Sequence, residues 1–460
     1  MSEKFIDTQD PQKAATPTTD AAAHGAVSKD NATEQEDATR KKRSNILRHF
    51  LESLPDWNYI FKEELRTIFK DQGVLIFCLL LPLGYPILYT WIYNNEVCND
   101  VPTVVVDDSQ TAFSREYIRK VDATPEIRIV SYAADMNEAR KAVKERDAYG
   151  IIYIPSTFSQ DISRMQQTRV SLFADMSGML YYKAVLLANT NVSLAMNAKI
   201  KVARAGKTTA QEEALTTHPI TYEQVELYNP TNGMASYLIP AVLVLIIQQS
   251  LVLSIGLAAG TRREKNAYRT LTPINRHYHG LMRIVMGQSL AYILIYLWNI
   301  TYVLFLMPKM FSLPQIGSVA DVWMIMIPFL IAVTFFGMTL SVLIRQREAC
   351  FMIIVFTSVP LLFLSGISWP ASAMPDFWRY VSYLFPSTFG VKAYVAINNT
   401  GATLNEVKTE WYVLWIQAVA YFLTTLLVYR RNIIRSRLKF IEKYRNLRKR
   451  KATPKMTAKE

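Results

Sequence analysis

The run Arg204-Ala205-Gly206-Lys207-Thr208-Thr209 carries residue types that hold nucleotide phosphates: a glycine, a lysine and paired hydroxyls. A working phosphate loop also needs a glycine five residues before Gly206, where this chain has Lys201, and a strand leading into it. Neither is present, so the cradle of backbone N–H groups cannot form and no nucleotide is expected on this chain. His218 stands alone, and the surrounding block 94–233 shows no metal-ligand spacing, acid–base constellation or nucleophile elbow. Neither catalysis nor a bound metal or cofactor is expected.

The other polar residues of interest lie in apolar surroundings. Six uncharged stretches have lengths near the ~20 residues of a membrane span: 74–93, 234–260, 284–307, 322–344, 351–369 and 411–429. Inside them the polar groups are Gln248, Gln249, Gln288, Asn299, Gln417 and some Ser and Thr. An ion-coupled carrier needs ionisable groups at that depth, and these spans have none. Neutral amides there serve mostly as hydrogen-bond partners between helices, with Gln248 and Gln249 also candidates to line a path. If the protein moves a substrate, the energy enters from elsewhere.

Half of the 460 residues are hydrophobic and the net charge is +13. The block 94–233 holds 15 Lys/Arg against 17 Asp/Glu, so the basic excess lies in the rest of the chain. It gathers before the first stretch, between the second and third, between the fourth and fifth, and after the sixth. The positive-inside rule then places both termini in the cytoplasm and 94–233 outside. The basic tail 430–460 fits attraction to anionic lipid better than to nucleic acid. Residues 1–45 are polar, with no signal-peptide core, and read as a disordered cytoplasmic tail. Cys78, Cys98 and Cys350 give no disulfide framework; only Cys98 is expected outside, so a bridge would have to join two chains.

Within 50–72, Trp57, Ile60, Phe61, Leu65, Ile68 and Phe69 recur at near-helical spacing opposite Lys62, Glu63, Arg66 and Lys70. That pattern predicts an amphipathic helix lying at the membrane surface, with Trp57, Phe61, Leu65 and Phe69 toward lipid. The outer block alternates. Strands are expected at 103–107, 126–130, 149–154 and 169–175, and helices at 111–121, 135–146 and 179–204, which makes a small α/β domain.

Two loops carry longer signatures. Residues 260–283, charged and expected to be helical up to Pro273, contain Glu264, Thr270, Leu271 and Pro273, with Gly280 ahead of Arg283. Residues 365–390 contain Ser365-Gly366, Pro370, Met374-Pro375 and Pro386-Ser387-Thr388. Pro370 and Pro375 end a helix by removing N–H donors and clashing with earlier carbonyls. Non-helical backbone at membrane depth survives only where protein or water satisfies it, so this segment is expected to be re-entrant, with Trp378 and Tyr380 at the interface.

With these motifs the sequence resembles the permease subunit of an ABC type-2 exporter, of the six-span, drug-exporter-like kind with a large outer domain. It departs from the family's pattern at Asn266-Ala267, where a Gly-Thr usually follows the glutamate. The resemblance covers 74–93, 94–233 and 234–429. It implies an α-helical polytopic membrane protein with an extracytoplasmic α/β domain inserted after the first helix. It further implies a separate ATP-binding subunit that carries ATP and Mg, and a homodimer or a heterodimer with a sister permease. A periplasmic adaptor and an inner-membrane location belong to the same expectation. Glu264, Thr270, Leu271 and Pro273 would couple to the ATPase. Ser365, Gly366, Pro370, Met374, Pro375 and Pro386 would form an outer gate. Substrate, of amphipathic or lipid-like character, would pass between protomers along spans two and five. The rival reading is a non-transporting anchor that displays 94–233 as a receptor domain.

Overall fold

The computed structural model describes residues 54–206, 209–217, 227–229, 233–265, 267, 280–344 and 346–452, without the side chains of 443, 444 and 446–452. Thr270, Leu271, Pro273, His218 and the 1–45 tail lie outside the described residues. The chain divides into two compact units. One holds the residues up to Asp71, Arg262–Tyr292 and the chain from Thr425 onward; the other holds Gln72–Thr261 and Ile293–Thr424.

Helix α1 spans 54–70. Among the described residues six further helices are long and apolar enough to cross a membrane: α2 (Gln72–Tyr93), α8 (Met234–Glu264), α9 (Leu281–Met310), α10 (Val319–Leu340), α11 (Arg347–Leu364) and α14 (Lys408–Ala452). Most overrun the apolar stretches that announce them, because a helix continues past the lipid while its backbone groups stay paired. The fourth ends at Leu340 rather than Ile344, and the fifth also falls short. It stops at Leu364 rather than Trp369, where the Ser365 hydroxyl donates to the Leu362 carbonyl (2.6 Å) and Gly366 turns to φ +85°.

Prolines inside these helices explain where the buried polar side chains sit. A proline has no N–H for the carbonyl four residues earlier, and in an apolar bundle that carbonyl needs another donor. Pro82 in α2 frees the Cys78 carbonyl, and Asn299 Nδ2 donates to it at 2.9 Å. Pro240 in α8 frees that of Ser236, which accepts from Asn399 Nδ2 at 3.2 Å. Pro308 in α9 frees that of Leu304, which accepts from Gln315 Nε2 at 2.7 Å. Pro328 in α10 frees that of Met324, which accepts from Trp411 Nε1 at 3.1 Å. In α2 and α9 the turn ahead of the proline widens to π geometry, at Ile76–Leu80 and Tyr302–Leu306.

Helix α8 is buried along almost its whole length, whereas α11 buries only Cys350 and Leu361. The two meet through glycines. A side chain at Gly256 would strike Cys350 Sγ, and one at Gly260 would come within 2.9 Å of the Arg347 backbone.

Between α2 and α8 lies the α/β domain: β1 (Val101–Asp107), α3 (Ala112–Asp122), β2 (Ile127–Tyr132), α4 (Met136–Glu145), β3 (Gly150–Ile154), α5 (Phe158–Ser163), β4 (Ser171–Ala174), α6 (Met179–Ala205) and α7 (Ala210–Thr217). The sheet order is β2-β1-β3-β4, with β1 parallel to β2 and β3, and β4 antiparallel to β3. Val101 and Val105 pack on one face with α3, α5 and α6, while Val104 and Val106 pack on the other with α4, as the two-residue period of a strand requires. Thr111 and Ser114 form a capping box at α3, and Asp135 caps α4. The short helices α5 and α7 leave no trace in the sequence pattern; α7 buries no residue at all.

The domain is joined to α8 at Glu96. This residue holds a left-handed backbone (φ 58°) and its carboxylate accepts from the N–H groups of Ala235 (3.1 Å) and Ser236 (3.2 Å) and from the Ser236 hydroxyl (2.6 Å). Gly233 leaves room for it, since a Cβ there would collide with that carboxylate.

Candidate functional site

In the first unit, α1 turns a stripe of every fourth residue inward: Asp56, Ile60, Glu64 and Ile68 are all buried. Trp57, Phe61 and Leu65 are half-buried and Phe69 is exposed. The deepest line of the helix therefore lies one residue before the aromatic stripe, and it carries two carboxylates. Glu64, 4% exposed, pairs with Arg262 and accepts from the Tyr292 hydroxyl at 3.1 Å. Asp56 pairs with Arg283 at 2.7 Å. Ile60 lies against Gly287 of α9, where an added Cβ would approach its Cβ to 2.8 Å. Arg263 donates to Asn432 Oδ1 (2.8 Å), and the Tyr429 hydroxyl donates to Gln288 Oε1 (2.8 Å).

One acid of α1 thus holds the last turn of α8 and the other holds the first turn of α9. Those are the two helix ends that flank the segment 265–280. Glu264 itself is exposed at the end of α8. Sequence reasoning missed Asp56 and Glu64. The available signal was two acids eight residues apart in register with Ile60 and Ile68, on a face that ought to be apolar.

In the second unit, the segment after α11 is a chain of short pieces. Ser365 and Gly366 close α11, and Pro370 leads into a single turn at Ala371–Ala373. Met374 is extended, as a residue before proline prefers. Pro375 precedes α12 (Asp376–Ser382), and Pro386 opens α13 (Pro386–Thr400). Three carbonyls freed by these breaks find side-chain donors. Ile367 accepts from the Tyr237 hydroxyl (2.5 Å), Tyr383 from Gln417 Nε2 (2.8 Å) and Leu384 from the Tyr421 hydroxyl. Helices α8 and α14 therefore satisfy the broken backbone that water would otherwise have to reach. Phe377, Trp378 and Tyr380 remain exposed.

Helix α13 packs on α10, with Gly390 against the Phe329 ring. Gln248 is 1% exposed and donates to the Ser387 hydroxyl at 2.9 Å, which ties α8 to the first turn of α13. Gln249 is half-buried, and its Nε2 finds no partner among the described residues. The structure gathers Ser365, Gly366, Pro370, Met374, Pro375 and Pro386 into one broken segment, and Gln248 reaches its final piece. Glu264 belongs to the other unit. Among the described residues no cluster of His, Cys, Asp and Glu could hold a metal ion.

The sequence matches the family described as "ABC-2 family transporter protein" over residues 73–427. It is similar to the ABC transporter G family member 20 of Dictyostelium discoideum, 22% identical over 394 residues that make up 84% of this chain and 51% of that protein. The chain thus spans about half the length of that relative. It is also similar to the probable multidrug ABC transporter permease YbhR of Escherichia coli (strain K12), 20% identical over 332 residues, 72% of this chain and 86% of that protein. The matched region runs from the start of α2 into α14 and takes in the α/β domain, the buried α8 and the broken segment. This chain belongs to the ABC-2 family of transporter proteins.

Proposed function

We propose that this chain is the permease subunit of an ATP-driven exporter, lying in the inner membrane with both termini cytoplasmic and the α/β domain outside. A separate ATP-binding subunit, carrying ATP and Mg, would dock at the coupling loop 260–283, with Glu264 as a polar contact. The permease would act as a homodimer or beside a sister subunit, and the α/β domain would face a periplasmic adaptor. An amphipathic or lipid-like cargo, or a drug, would pass between protomers.

The observation that carries this reading is the double ion-pair attachment of α1. Glu64 and Asp56 grip the two helix ends that flank the loop. A push on that loop would therefore move α1, α8 and α9 together rather than bend the loop alone. Similarity to a probable multidrug permease supports the exporter direction.

The test is purification of the C-terminally tagged chain from native membranes, followed by identification of what accompanies it. A co-purifying ATP-binding subunit that is lost on Glu264→Arg supports the reading. A preparation free of any ATPase, under conditions where known complexes survive, would overturn it in favour of an anchor that displays the α/β domain.

A further inference from the structure

A cavity of about 350 Å³ lies where the α/β domain meets the start of α8. Its walls are mostly apolar, from Val97, Leu180, Leu187, Met234 and the ring of Tyr237. Its polar lining comprises two carboxylates, Glu96 and Glu126, one ammonium, Lys183, and the amides of Asn99 and Asn229. The size and the balance of many apolar walls to few polar groups are those of a small-molecule site.

From these residues we infer that the cavity binds a lipophilic organic monocation. Carboxylates outnumber ammonium groups in the lining, and Glu96 is held in place by two N–H groups and a hydroxyl of α8. Glu126 is half-buried and makes no ion pair among the described residues. An aromatic face beside carboxylates attracts a diffuse cation without requiring it to shed a tight hydration shell. The same Tyr237 donates its hydroxyl to Ile367 in the broken segment. A cation held beside Tyr237 therefore bears on Ile367, just past the end of α11. The inference deepens the exporter reading by naming a cargo class, and its meaning for transport rests on that reading. Binding itself does not.

The experiment uses the full chain in lipid nanodiscs with radiolabelled tetraphenylphosphonium, and tetraphenylborate as the anion of the same shape. Saturable binding of the cation is expected, with binding of the anion at least about tenfold weaker. Leu187→Trp, which fills the cavity from a half-exposed position, should abolish binding, and Glu126→Gln should weaken it about five- to tenfold. Ile200→Trp, elsewhere on α6, should change nothing, and unaltered thermal unfolding of each variant excludes misfolding. Cation binding that survives Leu187→Trp, or equal binding of the anion, would overturn the assignment. Because no ATPase is present in this assay, its failure leaves the co-purification result untouched.

Discussion

The Glu64 carboxylate of α1 and the Arg262 guanidinium of α8 form an ion pair almost wholly removed from solvent, with side chains 4% and 13% exposed. Breaking a buried ion pair by removing one member costs about 3–5 kcal/mol, while removing both costs far less. Glu64→Ala and Arg262→Ala should each lower the unfolding temperature of the purified chain clearly. The double variant should recover most of that loss. Simple addition of the two effects would mean that the pair is not coupled.

Asn299 is expected to matter only because Pro82 is present. Asn299→Leu leaves the Cys78 carbonyl without a donor and should cost about 1 kcal/mol. Pro82→Ala restores the N–H that a regular helix supplies, so Asn299→Leu in that background should be nearly neutral. Thermal unfolding in detergent reads the difference, and equal losses in both backgrounds would refute the linkage.

Gly287 should tolerate no side chain. Gly287→Ala brings a methyl to 2.8 Å from the Ile60 Cβ and should cost about 1–3 kcal/mol, and Gly287→Leu more. If α1 transmits movement, ATPase stimulation in the assembled complex should fall further than stability does.

The α/β domain should loosen in acid. Hydrogen bonds from Lys199 to Glu116, and from the N–H and hydroxyl of Ser177 to Asp175, hold both carboxyls below their ordinary range. A carboxyl lowered in the folded state contributes stability that is present above its unfolded value and is lost as pH falls through the folded value. Protection factors across 101–205, which remove the intrinsic pH dependence of amide exchange, should therefore be flat from pH 7 to about 5 and fall below about 4. Asp175→Asn should flatten part of that response.

The spans and the sheet are legible in the sequence because each has a local signature: long uncharged runs for the spans, and short β-branched runs such as Val104-Val105-Val106 for the strands. The broken segment is legible too, since proline acts on its own neighbours. The partners of the prolines are not. Nothing near Pro240 points to Asn399, nor anything near Pro328 to Trp411, because only the packed bundle brings them together. The α1 carboxylates escape for a related reason. Hydropathy treats Asp56 and Glu64 as surface residues until Arg283 and Arg262, which read as topology signals, arrive to neutralise them.

Helix α11 is packed tightly at its first turn and buries only Leu361 along the rest. Gly256 and Gly260 press α8 against its first turn, while the Phe356 carbonyl, four residues before Pro360, has no side-chain donor among the described residues. Mechanically this is a lever with its fulcrum at Arg347. Eighteen residues of helix give an arm of about 27 Å, so a swing of about 10° carries the tip by about 5 Å. A bulkier residue at the fulcrum, as in Gly260→Val, should stiffen the joint without touching the tip, and the travel of a spin label at Phe363 would measure how much leverage is lost.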